Sequence, residues 1–375
     1  MREQLLQRRD RFLASPNFQR WAARFPLTRF IARRRARELF DITAGFVYSQ
    51  VLYACVQLDL FQILASGPLE LEELVRRTGL PSERLLRLVQ AACSLRLLQR
   101  RGESRFGLGD LGAASLGNPG IAAMVRHHQR LYADLSDPVK LLQADSATSL
   151  SSFWPYARGE DGEAEDYSQL MADSQVFVAD EILQSVSLRD VDQLWDIAGG
   201  DGTFMSAALN RWPHLRGTVL DLPPVAARAS KRFEREHLAT RASAQGASMF
   251  EDPLAGQNRV GDHKVASWVS GRRGLISLIR VLHDHDDGPV LQLLTRLRQS
   301  WPPLSRLMIA EPMADTPGAE PMGHAYFGLY LMAMGSGRPR TLTELTSLVN
   351  EAGFTRCREV QTGLPLLLRI LIVEP

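Results

Sequence analysis

Apolar residues recur first at helical spacing and later at strand spacing, and the change divides the chain. In the first part, Phe46, Val51, Ala54, Cys55 and Leu58 share one face of a helix expected to end near Gly67-Pro68. A short helix over 71–78 is stopped by Gly79. Pro81 opens another, with Leu85, Leu88, Val89 and Ala92 on one side. The stretch 97–108 reads as two short strands around a turn. Three helices and a hairpin form a winged helix-turn-helix. Residues 118–188 read as mostly helical, broken by a polar patch over 159–165.

From Val191 onward strands and helices alternate, the pattern of a doubly wound α/β sheet. A strand over 193–198 precedes a helix over 203–211, and a second strand over 216–220 ends in Asp221. A helix and a weaker strand follow, then apolar strands over 275–282 and 306–310. Thr341-Leu342-Thr343-Glu344 is a capping box opening a helix that stops at Gly353. Two last strands lie near Arg358 and over 366–373. The expected divisions are an arm at 1–37, a winged helix at 38–117, a helical covering region at 118–188 and a Rossmann-like domain at 189–375.

Composition narrows the class. With 375 residues, 45% hydrophobic, 23% charged and a net charge of +2, the chain is ordinary globular material. Cys55, Cys93 and Cys357 form no CxxC, which argues against a disulfide scaffold or zinc ribbon and fits a reducing cytoplasm. The uncharged run 42–58 is 17 residues long and carries Ser49, Gln50 and Gln57. A spanning helix needs roughly 20 apolar residues, so a buried helix is expected there. No apolar segment with a small-residue cleavage site opens the chain, so no secretory signal is expected.

Charge is unevenly placed. Residues 1–37 hold eleven arginines against Glu3 and Asp10, a net +9, interleaved with Phe12, Phe18, Trp21, Phe25 and Phe30. Such an arm fits an anionic membrane surface, a phosphate backbone, or a solvated helix packed on its own core or a partner subunit. Arg84 and Arg87 on the second helix of the winged motif, with Arg100, Arg101 and Arg105 on the wing, leave duplex binding open. The same motif also serves as a dimerisation and substrate-covering module.

Two stretches carry candidate chemistry. Asp196-Ile197-Ala198-Gly199-Gly200-Asp201-Gly202-Thr203 sits at a strand-to-helix turn, where small residues admit a ligand to the backbone and the helix supplies free N–H groups. Asp221, ending the next strand, is placed to accept two ribose hydroxyls. NAD is one candidate, but the third glycine of GxGxxG is missing. Asp196 and Asp221 suit S-adenosylmethionine (SAM) better, because its sulfonium and amino groups are cationic. Val281-Leu282-His283-Asp284-His285-Asp286-Asp287 follows a later strand at the carboxyl edge, where ligands bind in such sheets. A metal site is one reading of its histidines and aspartates. The other makes His283 a general base taking a hydroxyl proton, with Glu311 at the end of the next strand holding the imidazole tautomer. That chemistry needs no metal.

These residues together resemble the small-molecule O-methyltransferases of the caffeate and acetylserotonin type, through DIAGGDGT, VLDLPP (219–224), VLHDHDD and IAEPM. The resemblance covers almost the whole chain. It implies a class I methyltransferase domain with a mostly parallel seven-stranded sheet, a winged-helix domain that pairs two copies, and SAM as cofactor. It also implies His283 as base, Glu311 as a flanking acid and Asp221 as ribose ligand, with Asp196, Ala198, Gly199, Gly200, Gly202 and Met249 around the cofactor. More narrowly, LFDITAGFVYSQVLYA (39–54), MVRHHQRLYADLSDPVKLL (124–142), FWPYA (153–157), SLIRVLHDHDD (277–287) and AEPMADTPGAEP (310–321) resemble the hydroxycarotenoid O-methyltransferases of purple bacteria. That implies methylation of a tertiary C1 hydroxyl on an acyclic carotenoid such as demethylspheroidene or hydroxyneurosporene. The expectation is then a cytoplasmic homodimer with no nucleic-acid partner, its basic aromatic arm leaving peripheral contact with the photosynthetic inner membrane open. The same scaffold would also methylate a phenol, a polyketide or a tetrapyrrole carbon. A winged-helix transcription factor with a ligand-sensing domain is the reading from another class.

The chain departs from the broad family at several points. Ala198 stands where a glycine is usual, Ser248 where an aspartate approaches the adenine, and His285 where tryptophan is commoner. Pro339 replaces an acid in Gly337-Arg338-Pro339-Arg340-Thr341, so a single carboxylate is expected to assist His283. The stretch 255–274, with Trp268 and three arginines, is longer than the family's connection and reads as an unusual loop or a locally frame-shifted segment.

Overall fold

A computed structural model of the chain describes residues 1–143, 148–153, 164–250, 273–300 and 304–375, leaving aside the side chains of 119, 153 and 164–173. The expectations for 255–272, and for 159–163 of the polar patch, lie outside the described residues. The chain divides into two units, Met1–Gly117 and Asn118–Pro375.

The first unit opens with helices α1 (Arg2–Ala14), α2 (Pro16–Arg24), α3 (Arg29–Gln57) and α4 (Leu60–Ile63). A two-residue strand β1 (Leu69–Glu70) precedes α5 (Leu71–Thr78) and α6 (Ser82–Ser94). Strands β2 (Leu98–Arg101) and β3 (Arg105–Leu108) pair as the expected hairpin, with Leu98 opposite Leu108. β1 adds to the free side of β3, and α7 (Asp110–Leu116) closes the unit. Leu85, Val89 and Ala92 of α6 are buried as their spacing requires.

Two expectations about α3 fail. The helix stops at Gln57 rather than near Gly67-Pro68, because Asp59 turns left-handed at φ 49° and a new helical turn begins at Leu60. Nor is the 42–58 stretch a buried helix. Among the residues of α3 only Cys55 and Val56 are buried, while Ile42 is 80% and Phe46 70% exposed. A 29-residue helix is about 44 Å long, and only its C-terminal turns reach the core formed with α4 and α6. By length and composition alone α3 could cross a membrane, its most apolar window having a mean hydropathy of 1.4.

The second unit begins with α8 (Pro119–Asp134), α9 (Pro138–Gln143), α10 (Ser149–Phe153) and α11 (Ala164–Ser185). Strand β4 (Gln193–Ile197) leads to α12 (Thr203–Arg211), β5 (Arg216–Asp221), α13 (Pro223–Arg235) and β6 (Ala242–Gly246). Then come β7 (Gly274–Ile279), α14 (Asp287–Gln299), β8 (Ser305–Glu311), α15 (Gly328–Met334), α16 (Leu342–Glu351), β9 (Arg356–Val360) and β10 (Arg369–Glu374). They form a seven-stranded sheet ordered β6-β5-β4-β7-β8-β10-β9, in which β10 alone runs antiparallel to its neighbours. Alternate residues feed two cores. Leu194, Leu275 and Ile279 meet Phe204 and Phe233 on one face, while Trp195, Ile197, Ile276 and Leu278 meet Val290, Leu293 and Leu345 on the other. The order reverses between β4 and β7, which opens a crevice at their carboxyl ends.

The apolar run read as a strand over 275–282 is shorter than expected. β7 ends at Ile279, Arg280 takes φ 56°, and Leu282–Asp284 form one 3-10 turn. Val281 and Leu282 are apolar because they are buried in the second of the two cores, not because they extend the sheet. The last strand likewise starts at Arg369 rather than 366.

Candidate active site

The carboxyl ends of β4, β5, β7 and β8 bring the two candidate stretches to one edge. Asp196 pairs in register with Ser277 of β7, and its neighbour Ile197 with Leu220 beside Asp221. The Asp196 carboxylate is 1% exposed; Oδ1 accepts from Ser277 Oγ at 2.7 Å, and Oδ2 has no hydrogen-bond partner among the described residues. Burial pushes its pKa up to about 7. Asp221 accepts from Gly200 N–H at 2.8 Å and Leu222 N–H at 2.7 Å, which ties the loop to the next strand. Burial raises its pKa to about 6 against those two bonds.

The loop between them turns left-handed at Ala198 (φ 53°), Gly200 and Gly202. Alanine at such a φ costs about 1–2 kcal/mol, so the family's usual glycine would relieve strain there. Gly199 is required for another reason: a Cβ would lie 2.5 Å from Asp196 Oδ2 and cover the oxygen left open. Asp201 is taken up locally: its Oδ1 accepts from the Thr203 backbone N–H and hydroxyl, and Arg232 donates to its carboxylate and carbonyl. Met249, past the end of β6, is partly buried against the same core cluster as Ala198 and Phe250.

An unpartnered buried carboxylate oxygen wants a cation, and the open backbone around it wants a close-fitting ligand. That open oxygen and backbone therefore suit a ligand carrying a cationic group, and the sulfonium and amino groups of SAM are of that kind.

His283 lies in the 3-10 turn and is 5% exposed. Its Nδ1 is 3.5 Å from Glu311 Oε2, which also accepts from the His283 backbone N–H at 3.2 Å. Its Nε2 is 3.2 Å from Asp284 Oδ1. Two carboxylates therefore flank the ring, not one. In a strand, consecutive side chains point to opposite faces; the 3-10 turn instead folds Asp284 back onto the imidazole. Burial opposes the charged ring, but Asp284 and Glu311 outweigh it and hold its pKa above the usual value. Asp284 is itself raised, by burial first. His285 points elsewhere, its ring edge-on to Phe250 at 5.0 Å, and burial lowers its pKa to about 4. Among the described residues no group of three or more ligating side chains is placed to hold a metal ion.

The segment that lacks its acid has another use. Arg340, 0% exposed, donates to the carbonyls of Leu282 at 2.6 Å and His285 at 2.7 Å and to Asp287 Oδ1 at 2.7–2.8 Å. It grips the turn on both sides of His283. Gly337, at φ +81°, passes so close that a Cβ would meet the His283 carbonyl at 2.2 Å. Neither contact was visible from spacing, since more than fifty residues separate the partners.

An aromatic wall stands beside His283. Phe327 is 5.8 Å from the His283 ring and 5.0 Å from Tyr326, which stacks on Tyr330 at 5.9 Å. These residues come from a π-helical turn, Met322–Phe327, and from α15. His128 and His127 of α8 pair with the hydroxyls of Tyr326 and Tyr330 at 2.8 and 2.9 Å, and burial lowers the pKa of both imidazoles, that of His127 to about 4. The aromatic run Tyr326-Phe327-Gly328-Leu329-Tyr330 was the signal that could have found them.

Comparison with known proteins agrees with this architecture. A family model described as the O-methyltransferase domain matches residues 132–355, and one described as the O-methyltransferase dimerisation domain matches 40–117. A demethylspheroidene O-methyltransferase of Cereibacter sphaeroides is 40% identical over 355 residues, covering 93% of this chain and 89% of its own. The enzyme of that name from Rhodobacter capsulatus is 40% identical over 357 residues, covering 94% and 85%. Among solved structures, the mitomycin 7-O-methyltransferase superposes with a TM-score of 0.72 at 23% identity, over 92% of this chain and 99% of its own. Human N-acetylserotonin methyltransferase, solved in complex with SAM, gives 0.71 at 22% identity, over 91% and 97%. These two share the fold. With the family model and the 40% identical relatives taken together, the chain belongs to the O-methyltransferase family, a class I methyltransferase domain preceded by the family's dimerisation domain.

Proposed function

We propose that the enzyme methylates the tertiary C1 hydroxyl of an acyclic carotenoid, such as demethylspheroidene or hydroxyneurosporene, using SAM. The observation that carries this is a buried histidine between two carboxylates, set against an aromatic wall. The names of the 40% identical relatives support the substrate class. Asp196, Asp221, Met249 and the backbone from Ala198 to Gly202 would hold SAM, which when bound supplies a methyl group on a cationic sulfur. His283 takes the hydroxyl proton, and Asp284 and Glu311 stabilise the imidazolium that results. Phe327, Tyr326 and Tyr330 offer a flat apolar surface to a polyene and exclude water from the base. A tertiary alcohol is a weak, hindered acid, so alignment of its oxygen carries much of the rate. Labelled SAM offered with a hydroxylated acyclic carotenoid in detergent beside a simple catechol tests the reading. Label in the carotenoid is expected; label in the catechol alone would overturn it in favour of a phenol.

The two buried aspartates predict a pH dependence of cofactor binding. Their folded pKa values, about 7 and about 6, lie above the ordinary 3.8. Without ligand the folded protein therefore holds protons that the unfolded chain has released, and these groups cost stability as pH rises from about 4 to about 7. A cationic group of SAM beside Asp196, and ribose hydroxyls donating to Asp221, would favour the ionised forms. Affinity for SAM should accordingly rise through pH 6 to 7 and then level, and Asp196→Asn should flatten the curve. Calorimetric titration across that range checks it; a flat wild-type profile would remove these acids from the cofactor site.

The apolar face of α3 around Leu39, Phe40, Ile42, Phe46 and Val47 is exposed in the single chain, and the dimerisation match begins at residue 40. We assign that face to a second copy. Phe46→Glu should shift sedimentation from dimer to monomer, and an unchanged dimer would place the interface elsewhere.

A further inference from the structure

We infer that the arm formed by residues 1–37 is a docking surface for an anionic phospholipid bilayer. It precedes the region matched by the dimerisation model, so the family architecture does not account for it. The arm is ordered without a core of its own. Ser15 caps α2, Gln19 Nε2 donates to the Leu13 carbonyl at 2.9 Å, and Thr28 Oγ1 donates to the Ala22 carbonyl at 2.9 Å. Yet Ala22 is the only buried residue in the stretch. Phe12, Phe18, Trp21 and Phe25 form a continuous ridge, with successive centroids 3.9, 5.8 and 4.8 Å apart. Phe12 is 57%, Trp21 50% and Phe30 73% exposed, and Leu5, Leu27 and Ile31 are exposed with them. All eleven arginines are exposed too, and Arg29, Arg33 and Arg37 follow one face of α3 at intervals of four.

Three occupants compete for this surface, and its chemistry separates them. A second copy would bring its own +9 against the first, so the arm repels itself where the Phe40–Val47 face does not. A nucleic acid would satisfy the arginines and stack on the rings, but it would leave Leu5, Leu6, Leu27 and Ile31 in water. An anionic bilayer takes both: apolar side chains enter the acyl boundary while guanidinium groups stay at the phosphates. The inference stands on the arm alone and is independent of which hydroxyl is methylated.

Co-sedimentation of the full chain with phosphatidylcholine vesicles, with and without phosphatidylglycerol, tests it. Binding is expected only to the anionic vesicles and should fall steeply with salt. Arg29→Glu/Arg33→Glu/Arg37→Glu should weaken it by at least about a hundredfold, since each arginine near such a surface strengthens binding about fivefold. The first of these acids lies in the first turn of α3, where it favours folding, and the repulsion among the three at i,i+4 replaces that among the three arginines, so the helix should persist, as circular dichroism would verify. Phe12→Ser/Trp21→Ser should weaken binding while leaving its salt dependence. Equal binding to both vesicle types, binding to neither, or salt-dependent binding to a duplex oligonucleotide instead would overturn the inference. So would a charge-reversed variant that changes oligomeric state but not vesicle binding.

Discussion

Replacing His283 by alanine should lower kcat by about a hundredfold to ten-thousandfold while SAM binds as before, because a positioned general base contributes that much. The residues proposed to hold the cofactor lie chiefly at the ends of β4 and β5, whereas His283 stands on the turn after β7, so the two proposed functions should separate. The neighbours sharpen the test. Asp284 at Nε2 and Glu311 at Nδ1 both raise the affinity of the ring for its proton. Only the neutral imidazole accepts a proton, so activity should fall as pH drops through the His283 pKa. Asp284→Asn removes a carboxylate that holds that pKa up, and the acid limb of the kcat/KM profile should move to lower pH. Glu311→Gln should move it in the same direction and also loosen the turn, since Glu311 accepts the His283 backbone N–H. Stopped turnover with equal loss of SAM binding in His283→Ala would make His283 a structural residue. An acid limb unmoved by Asp284→Asn would leave Asp284 without influence on the base.

The residues that were legible from sequence share a property: their partners are near in the chain. The Asp196-to-Thr203 turn, the helix Thr203–Arg211 and the Thr341–Glu344 capping box are punctuated by glycines or caps within a few residues, and each is found where it was expected. Asp221 was reachable because a strand end sits at a fixed place in a doubly wound sheet. Asp284 was missed because alternation assumes a strand where the chain makes a 3-10 turn. Arg340 and the His127–Tyr330 and His128–Tyr326 pairs join residues 53 to 203 apart, and no local pattern marks such contacts. Periodicity also reports that a face is apolar, not what covers it, which is why 42–58 read as buried. A helix that waits for a second copy and one that packs in its own core have the same spacing.

Arg340→Met should damage both stability and turnover, the second more specifically. The side chain is fully enclosed, and its donors satisfy the Leu282 and His285 carbonyls and one oxygen of Asp287. Methionine fills a similar space but leaves those acceptors bare, and each buried acceptor without a partner costs about 1–3 kcal/mol. Asp287 is 47% exposed and water compensates it, so the loss comes chiefly from the two carbonyls, about 3 kcal/mol in all. Tm should fall by several degrees. Arg340→Lys should recover little, because a single ammonium cannot span acceptors on both sides of a turn. Arg340 touches no reacting atom; it is a positioning residue that acts through the backbone of Leu282 to His285. Below the unfolding transition, kcat should therefore drop while KM and SAM affinity hold, since only the placement of His283 is altered. Equal loss in kcat and SAM affinity would indicate general loosening of the fold. Wild-type kcat in a destabilised variant would show that Glu311 and Gly337 hold the base without help from Arg340.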